Sequence, residues 1–289
     1  MWKEYLFATS VEHALELLAA REGKAQLIAG GTDLLLQSQR GQCPATVLVD
    51  ITRIPGLNQI QERDGHILIG AQVTHTQIAA SPLVRQKAAV LSAACAHVGG
   101  PQTRNAGTLV GNVINAQPAA DGAVALFTLE AEMEVATPAG RRWEPITSIY
   151  RGVGACTIDA CHEMVTAIRF RPLTEACGWG YQRLARRKAL TLPTLVVAAL
   201  LRLERDVIAS ARIAAGPVAP IPFRAADAEA FLVGKKPDDD NFARAGELAA
   251  QKAQPRDSLI RGSREYRTEM VSVLVRRALA QAAAACGKR

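Results

Sequence analysis

Aromatic residues make up only 4% of this 289-residue chain, and the lysines and arginines behind its formal charge of +7 are dispersed rather than clustered. Base-stacking platforms need aromatics beside a basic stripe, which argues against nucleic-acid binding. The charge suggests an acidic ligand or an acidic partner. Cysteine occurs six times (Cys43, Cys95, Cys156, Cys161, Cys177, Cys286) but never as C-x-x-C. An iron-sulfur cluster needs four thiolates close in space, usually announced by short spacings, so the chain is expected to hold none of its own. Cys156, Cys161 and His162 form the only local grouping, a weak metal signal, and the cysteines read as free thiols in a reducing compartment.

Long apolar runs are missing too. Residues 190–201 are the longest, too short to span a bilayer and interrupted by Pro193. The start, MWKEYLFATSVEHALELL, lacks a basic stretch followed by an unbroken apolar core, so no secretory signal is expected and the protein reads as cytoplasmic. Nor is there a catalytic triad or an acid/base pair. His13, His66, His75, His97 and His162 have no motif partners and read as structural or exposed.

What is present is an ordinary globular composition, 49% hydrophobic and 21% charged, long enough for two or three compact domains. Thr9 and Glu12 suggest a capping box for a first helix with Val11, Ala14, Leu15 and Leu18 on one face, stopped by Gly23. A strand runs into Gly30-Gly31, and a second covers 46–51. Pro55-Gly56 suggests the end of a first lobe, 1–55. A second lobe, 56–174, then holds a hairpin at Asp64-Gly65, a helix over 82–98 and strands over 132–137 and 164–171. A third region, 175–289, carries consecutive strands over 180–185, 194–204 and 207–214, joined by short turns that favour an antiparallel sheet. Helices follow near 225–232, 240–250 and 264–284. Strand runs followed by helix runs indicate an α+β architecture.

Two stretches carry chemistry. In "AQLIAGGTDLLLQ" an apolar strand meets a double glycine. Backbone N–H groups at such a turn, ahead of a short helix over 33–38, make an anion nest suited to phosphate or pyrophosphate. A carboxylate should not face a pyrophosphate, so Asp33 would cap the helix or bond a ribose hydroxyl; a plain strand-to-helix turn accounts for the same four residues equally well. The second stretch, from Arg104 to Asp121, has no charge between its ends yet is dense in Gly107, Thr108, Gly111, Asn112, Asn115 and Gln117. Uncharged donors on a flexible backbone suit a large, enclosed, hydrogen-bonding ligand; a buried loop satisfied by its own amides is the plainer alternative.

"LIAGGTDLLLQ" and "RNAGTLVGNVINAQPAADG", with "YQRLARRKAL" and the closing "DSLIRGSREYRTEMVSVLVRRAL", resemble the FAD-binding medium subunit of the molybdenum hydroxylases, the family of xanthine dehydrogenase and carbon monoxide dehydrogenase. The resemblance covers nearly the whole chain. It implies an FAD-binding fold of the vanillyl-alcohol oxidase / p-cresol methylhydroxylase type in two lobes, followed by a C-terminal domain of antiparallel sheet plus helices. It implies FAD on this chain, with the molybdenum cofactor on a large partner subunit and [2Fe-2S] clusters on a small one, possibly as a dimer of heterotrimers. Electrons would reach FAD from the clusters and leave to NAD⁺, oxygen or another acceptor.

Position by position, Leu27, Ile28, Ala29, Gly30, Gly31, Thr32, Asp33 and Leu34 match the stretch whose amides hold the FAD pyrophosphate. Gly107, Thr108, Leu109, Val110, Gly111 and Asn112 match the family's T-x-G-G-N loop. Ile114, Ala120 and Asp121 match further contacts, Asp121 toward the adenosine side, and Val165 in "HEMVTAIRF" matches an apolar position near the flavin. Two residues depart from the pattern. Val110 replaces the first of paired glycines, and Gln182 replaces a lysine that several relatives carry near the flavin N1 and C2 carbonyl. Gln182 brings no charge; Arg183 could substitute, although strand alternation turns it to the other face. The run Arg183, Arg186, Arg187, Lys188 reads first as a solvated or partner-facing surface. Rival readings are a flavin-free structural subunit, a flavin subunit like that of 4-hydroxybenzoyl-CoA reductase, whose inserted loop and clustered cysteines are absent here, and a stand-alone flavin reductase resembling UDP-N-acetylenolpyruvoylglucosamine reductase.

Overall fold

The computed structural model describes residues 2–287. It opens with three short strands, β1 (Glu4–Phe7), β2 (Ala25–Ile28) and β3 (Val47–Asp50), in a parallel sheet of order β1-β3-β2. Helix α1 (Val11–Ala19) connects β1 to β2 and α2 (Leu34–Gln39) connects β2 to β3. Val11, Ala14, Leu15 and Leu18 are buried as their spacing requires. The cap lies one residue later than the sequence suggests. Ser10 is extended (φ −146°, ψ 168°) and its hydroxyl accepts from the His13 N–H, whereas Thr9 meets the His13 ring instead. Gly23 follows the helix at φ +78°, in the left-handed region that favours glycine.

A five-stranded antiparallel sheet comes next, with β4 (Ile60–Arg63), β5 (His66–Gly70), β6 (Glu132–Thr137), β7 (Gly140–Pro145) and β10 (Met164–Phe170) in the order β4-β5-β10-β6-β7. The β4–β5 turn has both Asp64 and Gly65 at positive φ. A small hairpin, β8 (Tyr150–Gly152) with β9 (Ala155–Cys156), lies between β7 and β10. Between β5 and β6 run six short helices: α3 (His75–Ala80), α4 (Pro82–Lys87), α5 (Ala89–Ala96), α6 (Pro101–Ala106), α7 (Leu109–Ile114) and α8 (Asp121–Thr128). The single helix expected over 82–98 is therefore two. Ala88 leaves helical geometry (φ −154°, ψ 49°), and the Lys87 carbonyl accepts from Leu173 N–H (2.8 Å), beyond β10.

The third region is a four-stranded antiparallel sheet, β11 (Cys177–Leu184), β12 (Leu195–Glu204), β13 (Val207–Gly216) and β14 (Phe223–Arg224), followed by α9 (Ala226–Leu232), α10 (Asp239–Lys252) and α11 (Arg264–Ala285). The apolar run of β12 is explained by burial on both faces. Val196, Ala198 and Leu200 join the large core with α5 and α8, while Leu195, Val197, Ala199 and Leu201 join a second core with α10 and α11. Antiparallel pairing and the α+β arrangement agree with the sequence reading.

Helix α11 lies backbone-close on β11. A Cβ on Gly178 would stand 1.9 Å from the Ala282 carbonyl oxygen, and one on Gly180 would stand 2.0 Å from that of Ala278. Even-numbered residues of β11 face α11 and odd-numbered ones face the large core. Gly180→Val forces the helix off the sheet and is expected to cost at least about 2 kcal/mol, roughly 5 °C in the thermal midpoint. A scanning-calorimetry midpoint equal to that of the parent chain would contradict this packing.

Candidate functional site

The two glycine-rich stretches meet. A Cβ on Gly30 would stand 1.9 Å from the Ala106 carbonyl oxygen and 3.1 Å from Gly107 Cα, so only glycine lets the end of β2 rest against the end of α6. Gly31 has a different task. At φ +66° it turns the chain into α2, where Leu34 is buried and Leu27 and Ala29 pack partly against the large core. Ile28 packs with Leu34 beneath the parallel sheet. Asp33 stands at the helix start without a side-chain cap bond. Burial pushes its carboxyl above the usual range, opposed by a hydrogen bond with Asn115. Gln37 Nε2 donates to Asn115 Oδ1 (3.3 Å), tying α2 to the end of α7. Thr32 Oγ1 lies 3.3 Å from where a Cβ on Gly107 would stand.

The second stretch holds the end of α6, all of α7 and the first residue of α8, joined by short turns. Thr108 caps α7, its hydroxyl accepting from the Gly111 N–H at 3.1 Å, and bridges to Thr74 across the start of α3. Leu109 N–H donates to the Val73 carbonyl (3.2 Å) and His75 N–H to that of Gly107 (3.0 Å). The missing charge follows from burial, since Leu109, Val110 and Val113 all face the core. Val110 sits in the first turn of α7, where glycine has no conformational advantage, so the valine needs no special backbone angle. Ile114 ends α7 and packs partly against the large core, and Ala120, buried, precedes α8.

Two buried polar atoms remain without partners along this wall, Asn112 Oδ1 and His75 Nδ1. Both lie beside Gly122, where a Cβ would stand 3.2 Å from Asn112 Oδ1 and 3.9 Å from His75 Cε1. His75 is only 2% exposed. Burial, aided by the Arg104 charge, holds its imidazole down at about 4. Sequence reasoning set His75 aside because nothing in its spacing ties it to Gly107 or Asn112; only the pairing of Thr74 with Thr108 brings it there.

Asp121 opens α8 and is buried together with its partners. Its Oδ1 accepts from the Tyr181 hydroxyl (2.6 Å) and from Arg183 Nε (2.8 Å), and Arg183 also donates to the Thr191 carbonyl (2.7 Å). Burial, then the Asp121 charge, pushes the Tyr181 hydroxyl well above its ordinary value. The His97 ring stacks on Tyr181, centroids 5.8 Å apart and planes 17° apart. Arg183 thus leaves the proposed basic surface, whereas Arg186, Arg187 and Lys188 are exposed. Gln182, on the opposite face of β11, turns to α11, where its amide donates to Gln281 Oε1 (2.7 Å). Val165 lies in β10, buried in the large core opposite Val135.

Beyond β11, Leu190 adopts φ +53°, donates from its N–H to the Gly99 carbonyl (3.3 Å) and lays its side chain over Gly100, just before α6. Among the described residues, no group of three or more His, Cys, Asp or Glu is placed to hold a metal ion, and no helix is long and apolar enough to cross a membrane. The region offers main-chain groups, hydroxyls and amides without a paired general acid and base.

Residues 2–172 match the family described as the FAD binding domain in molybdopterin dehydrogenase, and residues 180–282 match the carbon monoxide dehydrogenase flavoprotein C-terminal domain. The chain is 31% identical to a putative xanthine dehydrogenase FAD-binding subunit of Escherichia coli K12, over 98% of this chain and 97% of that one. It is 30% identical to the carbon monoxide dehydrogenase medium chain of Hydrogenophaga pseudoflava, over 98% of each. Among solved structures it superposes on carbon monoxide dehydrogenase from the same organism, in a form lacking the Mo-pyranopterin moiety, with a TM-score of 0.95 at 31% identity over 99% of each chain. It also superposes on quinoline 2-oxidoreductase from Pseudomonas putida 86, with a TM-score of 0.91 at 30% identity over 98% of each chain.

Two outcomes follow from this geometry. Asp121→Asn strands the buried Arg183 guanidinium and is expected to cost about 3 kcal/mol in denaturant unfolding, with Asp121→Asn/Arg183→Met recovering part of it; a loss below about 1 kcal/mol would mean the pair is solvated. For His75, the native pKa lies below the unfolded value of about 6.5, so between these values the unfolded chain binds the proton and the native chain does not. Stability therefore falls as pH drops from about 6.5 to about 4, by on the order of 3 kcal/mol from this group. In His75→Gln that part of the unfolding free energy against pH flattens, and an identical curve would refute the assignment.

Proposed function

The chain belongs to the FAD-binding subunits of the molybdopterin dehydrogenase family, which makes it an oxidoreductase subunit of the molybdenum-hydroxylase type, and from that membership we propose that it relays electrons within a multi-subunit enzyme. In this reading a small subunit with [2Fe-2S] clusters delivers the electrons, a large subunit holds the molybdenum cofactor, and NAD⁺, oxygen or another acceptor takes the electrons away. Bound FAD supplies the chemistry, because a flavin exchanges electrons singly or in pairs and so links one-electron clusters to a two-electron acceptor.

The observation that carries the reading is the meeting of Gly30 with Ala106 and Gly107. An oxygen-rich dinucleotide fits such a wall: Gly30, Gly31 and Thr32 supply close main-chain approach to its phosphates. In our assignment residues 27–34, 107–112 and 114 hold the cofactor, with Ala120 and Asp121 behind them. The Asp121 oxygen shared by Tyr181 and Arg183 supports giving Asp121 a positioning task between sheet and cofactor wall. Arg183, not Gln182, is the cation on the cofactor-side face of β11. We read 1–55 and 56–174 as the two lobes of the FAD-binding domain and 175–289 as the C-terminal domain. Six free cysteines support a cytoplasmic location.

Of the two departures that would favour a flavin-free subunit, Val110 and Gln182, the first lies in the ordinary helical backbone of α7. The test is the visible absorption of the complex purified from its native host. The parent chain is expected to retain flavin after desalting and to arrive with a large and a small partner. Gly30→Val, whose side chain would collide with the Ala106 carbonyl, is expected to lose most of its flavin while keeping its circular dichroism. A colourless parent complex would sink the electron-relay reading; full flavin in Gly30→Val would sink the assigned site.

A further inference from the structure

His75 is the only buried histidine among the described residues, and nothing above gives its ring a task. Its place is fixed from both ends. Thr74 caps α3 in a reciprocal box with Gln77, and the His75 N–H is tied to the Gly107 carbonyl. The imidazole is thereby set against Gly107 and Gly122. Its Cδ2 edge lies 3.6 Å from where a Cβ on Gly107 would stand, the same point that is 3.3 Å from Thr32 Oγ1. Its Cε1 edge lies 3.9 Å from the corresponding point on Gly122, itself 3.2 Å from Asn112 Oδ1.

Nε2 lies between Cδ2 and Cε1 in the ring, on the edge turned toward Gly107 and Gly122, where the missing side chains let the Thr103 carbonyl and Leu109 also pack close. Nδ1 is buried without a partner. A proton on Nδ1 would be a stranded donor, so the proton belongs on Nε2. The ring therefore presents one N–H toward Thr32 and Asn112.

We infer that His75 is a binding residue for FAD, its neutral imidazole donating the Nε2–H to an oxygen of the phosphate or ribityl portion of the dinucleotide. The inference rests on the proposal that FAD lies along the wall the glycine segments form. A neutral ring suits the position: it gives a hydrogen bond without burying a further charge. The low proton affinity imposed by burial keeps it neutral at physiological pH.

Two substitutions separate hydrogen bonding from packing. The amide nitrogen of glutamine reaches about as far as His Nε2, and that of asparagine only as far as Nδ1. FAD affinity is measured by titrating the deflavinated complex with FAD and following flavin fluorescence. His75→Asn is expected to weaken binding by about tenfold to a hundredfold, the loss of one hydrogen bond to a charged or strongly polar group, while His75→Gln stays within a few-fold of the parent. The thermal midpoint of the deflavinated complex is compared in the same series, and the two variants are expected to agree there. Equal affinity in all three proteins overturns the inference, as does an equal loss in both variants, which would make His75 a packing residue. A parent complex that takes up no FAD refutes the electron-relay proposal itself and is told apart by that control.

Discussion

A main-chain contact organises this molecule. Where Gly30 lies against Ala106 and Gly107, the parallel sheet of the first fifty residues and the helical segment before β6 are brought to within van der Waals distance of one another's backbones. No side chain could mediate so close an approach. Its consequences spread outward. The Gly107 carbonyl then holds the start of α3, Thr108 starts α7 beside Thr74, and α7 is linked to α2 through Asn115 and Gln37. The wall assigned to the cofactor is made of the residues that this contact draws together. That explains the composition of the second stretch, in which small and uncharged residues dominate because both its neighbours are backbone.

The C-terminal sheet is fastened to this assembly by another kind of interaction. Asp121, at the start of α8, is shared between Tyr181 and Arg183 on one face of β11, while the glycines on the other face admit α11. A buried ion pair of this kind adds little net stability over apolar packing, but it fixes register, since slipping β11 by one residue would exchange Arg183 for Gln182. The strand is thus read on both sides: polar toward the cofactor-binding half, backbone-close toward the helical layer.

Much of this was legible in the sequence because it depends on local pattern. The apolar spacing of α1, the Asp64-Gly65 turn and the antiparallel run from Gly180 to Ala214 all express themselves within ten residues or so. The glycine pair was legible as a place where something approaches the main chain, although what approaches it, Ala106, lies 76 positions away and left no local trace. The departures have physical causes of the same long-range kind. The helix break at Ala88 depends on Leu173 claiming the Lys87 carbonyl, the glycine-rich stretch at 104–121 took up helix where its apolar residues found a core, and His75 gained a setting only through the pairing of Thr74 with Thr108. Cap identity at Ser10 rather than Thr9 is a matter of one residue's extended backbone, below the resolution of a motif.

The two-sided burial of β12 has a thermodynamic meaning. Its even-numbered residues belong to one core and its odd-numbered residues to the other, so the strand is common property of both. Opening either core exposes half of the same backbone ladder, and neither half can melt while leaving its neighbour intact. The chain is therefore expected to respond to heat, denaturant and amide exchange as one cooperative unit, with the β12 amides among the last to yield.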